Sequence, residues 1–368
     1  RLSIPSSPGG QTNYQNRPID MTAAGTEVVS PKLHDAPRET PPWGATIAKY
    51  KRPNHLKSWW QVASTFVPLI ALWYLMYRTS SWSTLLTMLL ALPTAGFLVR
   101  VFIIQHDCGH HSFLRSRLAN DILGIVCGIF TLTPYHYWRR THSRHHTASG
   151  NLDHRGQGDI LTLTVQEYAD RSAWGRFTYR VYRHPLFMFV FGASYLFMVQ
   201  QRLTLGIPRS WRRERHSIHL TNLCLLSVFV AAWFTIGWPT FLLIWLPVAM
   251  LGAAAGSWLF FLQHQYENAY WQPRESWDYT RAALHGSSFY RLPWVLKWLT
   301  GSIGYHHIHH LNSRIPNYHL AACHDAEPTL RRCTTFGFWE SLKCPSLKLW
   351  DEKQQRMVGF AVAKADLS

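Results

Sequence analysis

The sequence predicts an all-α integral membrane protein: four helices crossing a bilayer as two hairpins, one further helix that lies in the interface or re-enters, and a helical cap on the cytoplasmic side. Three observations carry this expectation. Long apolar runs flanked by Trp and Tyr alternate with polar stretches along the 368 residues. Histidines crowd at the ends of those runs, as in "SIGYHHIHHLNSRIPNYHL" at 302–320. Lys and Arg outnumber Asp and Glu by 37 to 20, a net charge of +17, which suits an inner face held against anionic lipid. No nucleic-acid-binding motif accompanies that charge, so no nucleic acid partner is expected.

Taken in order, residues 1–48 are rich in Pro, Gly, Ser and Thr without periodicity and are expected to be disordered. Met21 reads as a natural initiator preceded by extra translated sequence. No signal peptide is expected, because the first apolar run begins only at Trp59. A membrane domain is expected over 49–345 and a tail over 346–368. Spans are expected at about 59–77 and 82–104, joined by RTSSW, and at about 220–238 and 241–262, joined by WPT. Each approaches the roughly 20 residues that a crossing helix needs. Pro68 and Pro93 are expected to kink the first two. The six cysteines stand singly, with no CxxC pair, so reduced cytosolic thiols are expected.

The run Leu186–Val199 is short for a crossing and leads into the basic stretch QRLTLGIPRSWRRERHS. If all histidine clusters share one side, an even number of crossings separates His146 from His264. The later hairpin supplies two, which leaves 186–199 in the interface. Charge agrees: Lys49, Lys51, Arg52 and Lys57 precede the first span and Arg209, Arg212, Arg213 and Arg215 the third, while the expected outer turns carry only Arg78. Both termini then lie inside.

Four histidine clusters fall on that side. QHDCGHHSF holds His106, His110 and His111; WRRTHSRHH holds His142, His145 and His146; FLQHQYENAYW holds His264; and GYHHIHH holds His306, His309 and His310. Residues three and four apart are neighbours on a helix, so HxxHH points three imidazoles one way. HxxxH does the same for His106 and His110, and His111 joins only if the helix winds irregularly. Imidazole favours zinc, copper, iron and nickel over calcium or magnesium. Two ligands from the first cluster, three from the second, His264 and three from the fourth make nine. One structural zinc takes four; nine suit two adjacent ions with open positions. A dinuclear site built almost without thiolate fits iron chemistry with dioxygen better than hydrolysis. His136, His154, His285 and His319 read as hydrogen-bonded or exposed.

HDCGHHSF, WRRTHSRHH, QHQYENAYW and GYHHIHHLNSRIPNY together resemble the membrane fatty acid desaturase superfamily, most closely its acyl-lipid omega-6 (delta-12) branch. GDILTLTVQEY (158–168) and SSFYRLPWVLKWLTGSIGYHHIHH (287–310) extend the likeness, which covers about 58–345. The resemblance implies an oxygen-dependent oxidoreductase that places a double bond in a lipid-borne acyl chain, with two Fe²⁺ ions as cofactor and O2 as co-substrate. It assigns iron ligation to His106 and His110, His142, His145 and His146, and His306, His309 and His310, with His264 as the extra ligand. The acyl-CoA branch, one residue longer in its first box, points instead to His111, and the choice stays open. Asp107, Asp153, Asp159 and Glu267, near these histidines in sequence, are expected to accept from imidazole N–H groups. No fused haem module or GxGxxG fingerprint is present, so an external donor of the ferredoxin or cytochrome b5 type is expected. Hydroxylases, alkane oxidases and carotenoid oxygenases share such boxes. A metal transporter would place its ligands within the spans, and a zinc protease would need HExxH.

Overall fold

The computed structural model describes residues 42–156 and 158–365. Most of the disorder expected over 1–48, and Met21, lie outside the described residues. The last part of that segment does not: α1 (Gly44–Tyr50) is a helix whose buried Ile47 packs with the core around Ile308 and Leu320. The Tyr50 carbonyl accepts from His319 Nδ1, 3.1 Å away.

Four helices are long and apolar enough to cross a membrane: α2 (His55–Ser80), α3 (Thr84–Gly109), α9 (Arg212–Thr235) and α10 (Trp238–His264). Asn54 and Ser83 side chains cap α2 and α3 by accepting from Lys57 N and Leu86 N. A Thr79–Thr87 hydroxyl contact of 2.9 Å closes the turn between these two helices. Pro68 and Pro93 lie inside them. The later turn is Ile236–Gly237, not WPT. Pro239 sits in the first turn of α10, where its missing N–H costs nothing. The α2, α9 and α10 helices expose much of their apolar surface, whereas α3 is largely buried between α2, α4 (Arg117–Phe130) and α10. The buried Arg100 on α3 donates through Nε to Thr65 (3.0 Å) and through Nη1 to the Trp298 carbonyl.

One amphipathic helix was not expected from the sequence, and the segment expected in the interface is irregular. The amphipathic α4 exposes Leu118, Ile122 and Val126 at helical spacing, and it meets α5 (Tyr135–Ala148) at a bend of 100°. Residues 187–198 form a π-turn (Phe187–Gly192) that runs into a short helix, α8 (Ala193–Met198), preceded in the chain by α6 (Val165–Ala169) and α7 (Ala173–Tyr182). Twelve residues rise only about 18 Å, too little to cross. Phe189 anchors this segment edge-on to Trp258 and Phe261 of α10.

The remaining helices are α11 (Tyr279–His285), α12 (Trp294–Leu299), α13 (His306–Leu311), α14 (Asn317–Ala326), α15 (Phe338–Ser341) and α16 (Phe360–Ala365), accompanied by two small sheets. These sheets correct the all-α expectation. Strand β1 (Leu163–Thr164) pairs in parallel with β4 (Leu349–Asp351), which pairs antiparallel with β5 (Arg356–Val358). β2 (Phe289–Arg291) runs parallel to β3 (Thr335–Gly337). Strands of two or three residues are too short to show a period-2 pattern in sequence. The expected tail is thus folded in: Trp350 is buried in one core with Phe261, Leu262 and Tyr266.

Candidate metal centre

Nine imidazoles converge, and they do so as two groups. His106, His110, His142, His146 and His309 place one ring nitrogen each within 4.8 Å of one another; His145, His264, His306 and His310 do the same. The groups touch, since the rings of His146 and His310 stack with centroids 4.2 Å apart.

Helical geometry accounts for the division. At about 100° per residue, i and i+4 differ by about 40°, while i+3 lies on the other side of that pair. On α5 the i, i+4 pair His142 and His146 enters the first group and the middle residue His145 the second. On α13 the assignment is reversed: His306 and His310 enter the second group and His309 the first. Each HxxHH helix therefore serves both groups. The ends of α3 and α10 complete one group each.

The geometry fits a metal in each group. His146 Nε2 lies 3.1 Å from His142 Nε2 and 3.0 Å from His309 Nε2. His264 Nε2 lies 3.1 Å from both His145 Nε2 and His306 Nε2. Two nitrogens bound at about 2.1 Å and at right angles would stand about 3.0 Å apart. Among the described residues, His110 Nε2 and His310 Nε2 are buried with no hydrogen-bond partner, as are the Nδ1 atoms of His145, His146, His306 and His309. An unpaired buried polar group costs about 1–3 kcal/mol; a cation shared by the converging Nε2 atoms removes that cost at His110 and His310, while the four Nδ1 atoms face the other way. Burial first, and the neighbouring imidazoles second, hold His306, His309 and His310 well below the ordinary histidine pKa. That direction favours the neutral form, which is the one that ligates.

Two anchors fix tautomers. His106 Nδ1 donates to Asp107 Oδ1 (3.2 Å), and Asp107 Oδ2 accepts from both Asn317 N (2.7 Å) and Asn317 Nδ2 (2.8 Å). His264 Nδ1 donates to the Gly286 carbonyl (3.0 Å). In both residues Nε2 is left as a lone pair facing its group. Asn317 escaped the sequence reading, although it sits in the quoted RIPNY stretch. Trp138 stacks on His142 (4.6 Å) and Phe260 tilts against His145 (5.0 Å), giving each group an apolar wall. Trp138 needs the space over Gly109, where a Cβ would come within 2.7 Å of its ring.

His111 stands outside both groups. The α3 helix ends in a Schellman turn, with Ser112 N bonded to Asp107 O and His111 N to Cys108 O, and His111 takes the left-handed position at φ +54°. That turn aims its ring away, to Asp121 Oδ1 at 3.0 Å. Of the expected acceptors Asp107 meets a clustered imidazole, that of His106. Asp153 accepts from Arg274 N, Asp159 lies beside Tyr182, and Glu267 sits at the surface paired with Arg356 (3.0 Å). His307, on the back of α13, donates through Nε2 to the Leu330 carbonyl (3.0 Å) and lies near His324 and Cys333. His307 and His324, whose Nε2 and Nδ1 atoms lie 3.3 Å apart, stand behind α13 and outside both groups.

Comparison with known proteins agrees with this arrangement. The fatty acid desaturase family model matches residues 80–336. A fatty acid desaturase of Bacillus subtilis is 42% identical over 318 residues, covering 86% of this chain and 90% of the relative. A Synechocystis sn-1 oleoyl-lipid 12-desaturase is 27% identical over 231 residues, 63% of this chain and 65% of its own length. A Synechocystis sn-1 acyl-lipid omega-3 desaturase (ferredoxin) is 27% identical over 235 residues, with 61% and 63% covered. A mostly helical chain with four membrane-length helices, nine converging imidazoles and these relatives belongs to the fatty acid desaturase family of oxidoreductases.

Proposed function

We propose that this desaturase places a double bond in the acyl chain of a membrane lipid, using O2 and an iron ion in each histidine group. The convergence of nine imidazoles into two touching groups carries the reading. Iron bound there supplies the activation of O2 and the abstraction of hydrogen from an unactivated CH2. The chain's own residues position and shield. Asp107 and the Gly286 carbonyl hold the His106 and His264 rings with Nε2 inward. Trp138 and Phe260 keep water from the reacting carbons. Two hydrogens leave the acyl chain, O2 becomes two waters, and the balance requires two electrons and two protons from outside. A ferredoxin or cytochrome b5 type carrier fits that need.

His106 and His264 end α3 and α10, and their groups meet. This supports two hairpins crossing the bilayer, with the described ends of α2 and α9 on the histidine side. Lys57, Arg209, Arg212, Arg213 and Arg215 then mark that side as cytoplasmic. The segment 187–198 lies in the interface. A membrane domain that begins at α1 and includes the strands of 349–358 replaces the narrower 49–345.

The test is expression in a host lacking polyunsaturated lipids, with fatty acid profiling by mass spectrometry. A new double bond is expected. A hydroxy acid or an oxidised carotenoid would move the reaction class, and unchanged lipids with a working donor would refute the reading.

A further inference from the structure

The outer face of α5 has a chemistry opposite to its inner one. His142, His145 and His146 point inward and are buried, while Arg140, Ser143, Arg144 and Thr147 are exposed. Between that face and the start of α9 opens a cavity of about 430 Å³, lined by His136, Arg139, Arg140, Arg144, Arg213 and Glu214 among others. Four guanidinium groups meet two carboxylates there. Arg140 pairs with Glu214 (2.9 Å), and Asp121 takes Arg139 (3.4 Å) and Arg213 (3.0 Å). Arg144 makes no ion pair among the described residues. It lies 4.4 Å over the ring of Trp211, and Arg140 lies 4.0 Å over the same ring. Trp211 is buried, so two long side chains are held in place with their positive heads at the surface.

We infer that this cavity is where an acidic one-electron carrier protein docks. The inference rests on the desaturase reading, which demands two external electrons per double bond. Position supports it. The inner face of α5 feeds both histidine groups, so a carrier seated on the outer face is separated from both by a single helix, about 10 Å thick. Charge supports it, because positive surfaces steer acidic partners and raise encounter rates. Location separates a protein from a lipid headgroup. Arg213 and Glu214 stand six or more residues before the exposed apolar run of α9 begins at Leu220, about 9 Å along the axis. Among the described residues no large apolar side chain lines the cavity to take an acyl tail.

The test uses the full iron-loaded chain in nanodiscs and a reduced acidic [2Fe–2S] ferredoxin, followed anaerobically by stopped flow. Arg144→Glu is expected to lower the second-order rate of ferredoxin oxidation about tenfold at low salt, with Arg144→Gln intermediate and the differences shrinking as NaCl rises. Reduction by dithionite and iron content should not change, and Arg78→Glu, in the opposite turn, should match wild type. If Arg144→Glu loads no iron, Thr147→Glu, which adds a negative charge at the same cavity, must show the same loss. Wild-type rate and salt dependence in the charge variants would overturn the proposal. So would an unchanged ferredoxin rate with weakened binding to phosphatidylglycerol vesicles, which would make the cavity a headgroup site. A wild-type enzyme that forms no double bond with any reductant would instead sink the desaturase reading itself.

Discussion

The two histidine groups share α5 and α13 and differ in what stands behind their remaining ligands. Behind His106 is a carboxylate, Asp107, fully enclosed and itself held by two N–H groups of Asn317. Behind His264 is a neutral backbone carbonyl, Gly286, with the Ser149 hydroxyl a distant neighbour at 3.4 Å. A carboxylate draws the Nδ1 proton and makes the opposite nitrogen a stronger base; a carbonyl fixes the tautomer with less electronic effect. With metal bound as proposed, the five-histidine group would favour the more positive ion, and the four-histidine group would chiefly hold geometry.

The harshest way to break the comparison is to remove the nitrogen with two close neighbours in each group. His146→Ala and His264→Ala should each lower desaturation by more than about 100-fold, beyond what loss of an outer partner causes. Metal content should fall by about half per chain if the groups load independently. Metal analysis on purified protein decides this. Wild-type iron in either variant would remove that histidine from the ligand set.

Weaker changes sharpen the contrast. Asp107→Asn keeps the shape but removes the charge, and should cost about 10–100-fold in activity or metal affinity, confined to the five-histidine group. Equal loss from both groups in Mössbauer spectra would mean the carboxylate serves them jointly. Gly286→Ala attacks the other anchor. Its Cβ would come within 2.5 Å of the Ala282 carbonyl, so the backbone must shift and carry the His264 acceptor with it. A loss of about tenfold or less is expected, below that of Asp107→Asn, since a carbonyl can re-aim where a charge cannot be replaced.

What the sequence showed follows from range. HxxHH is a local signal, so the inward aim of α5 and α13 was legible, and so were the four membrane-length helices. The division of each triplet between groups was not, because it depends on whether α3 or α10 meets that side of the helix. Asn317 reaches Asp107 across 210 residues, a distance no spacing rule spans. Glu267 misled for the converse reason: nearness in sequence to a ligand says little once α10 ends and the chain turns outward. The amphipathic α4 carried a readable signal in Leu118, Ile122 and Val126, hidden beside the stronger spans.

The smallest effect belongs to His111, the expected ligand that faces neither group. His110 and His111 are adjacent, and the family resemblance left either as a ligand; the Schellman turn separates them. At φ +54° a residue with a Cβ is strained by about 1 kcal/mol, which glycine does not suffer. His111→Gly gains that relief and loses the partly buried contact with Asp121 (3.0 Å), an interaction of similar size. The terms nearly cancel, so the melting temperature should move by only a few degrees, with iron content and turnover close to wild type. His110→Ala, one residue away, should lose metal. If the pair behaved the other way round, the turn at the end of α3 would have to be wound one residue further, and the five-histidine group would lose the member whose Nε2 lies buried and unpaired.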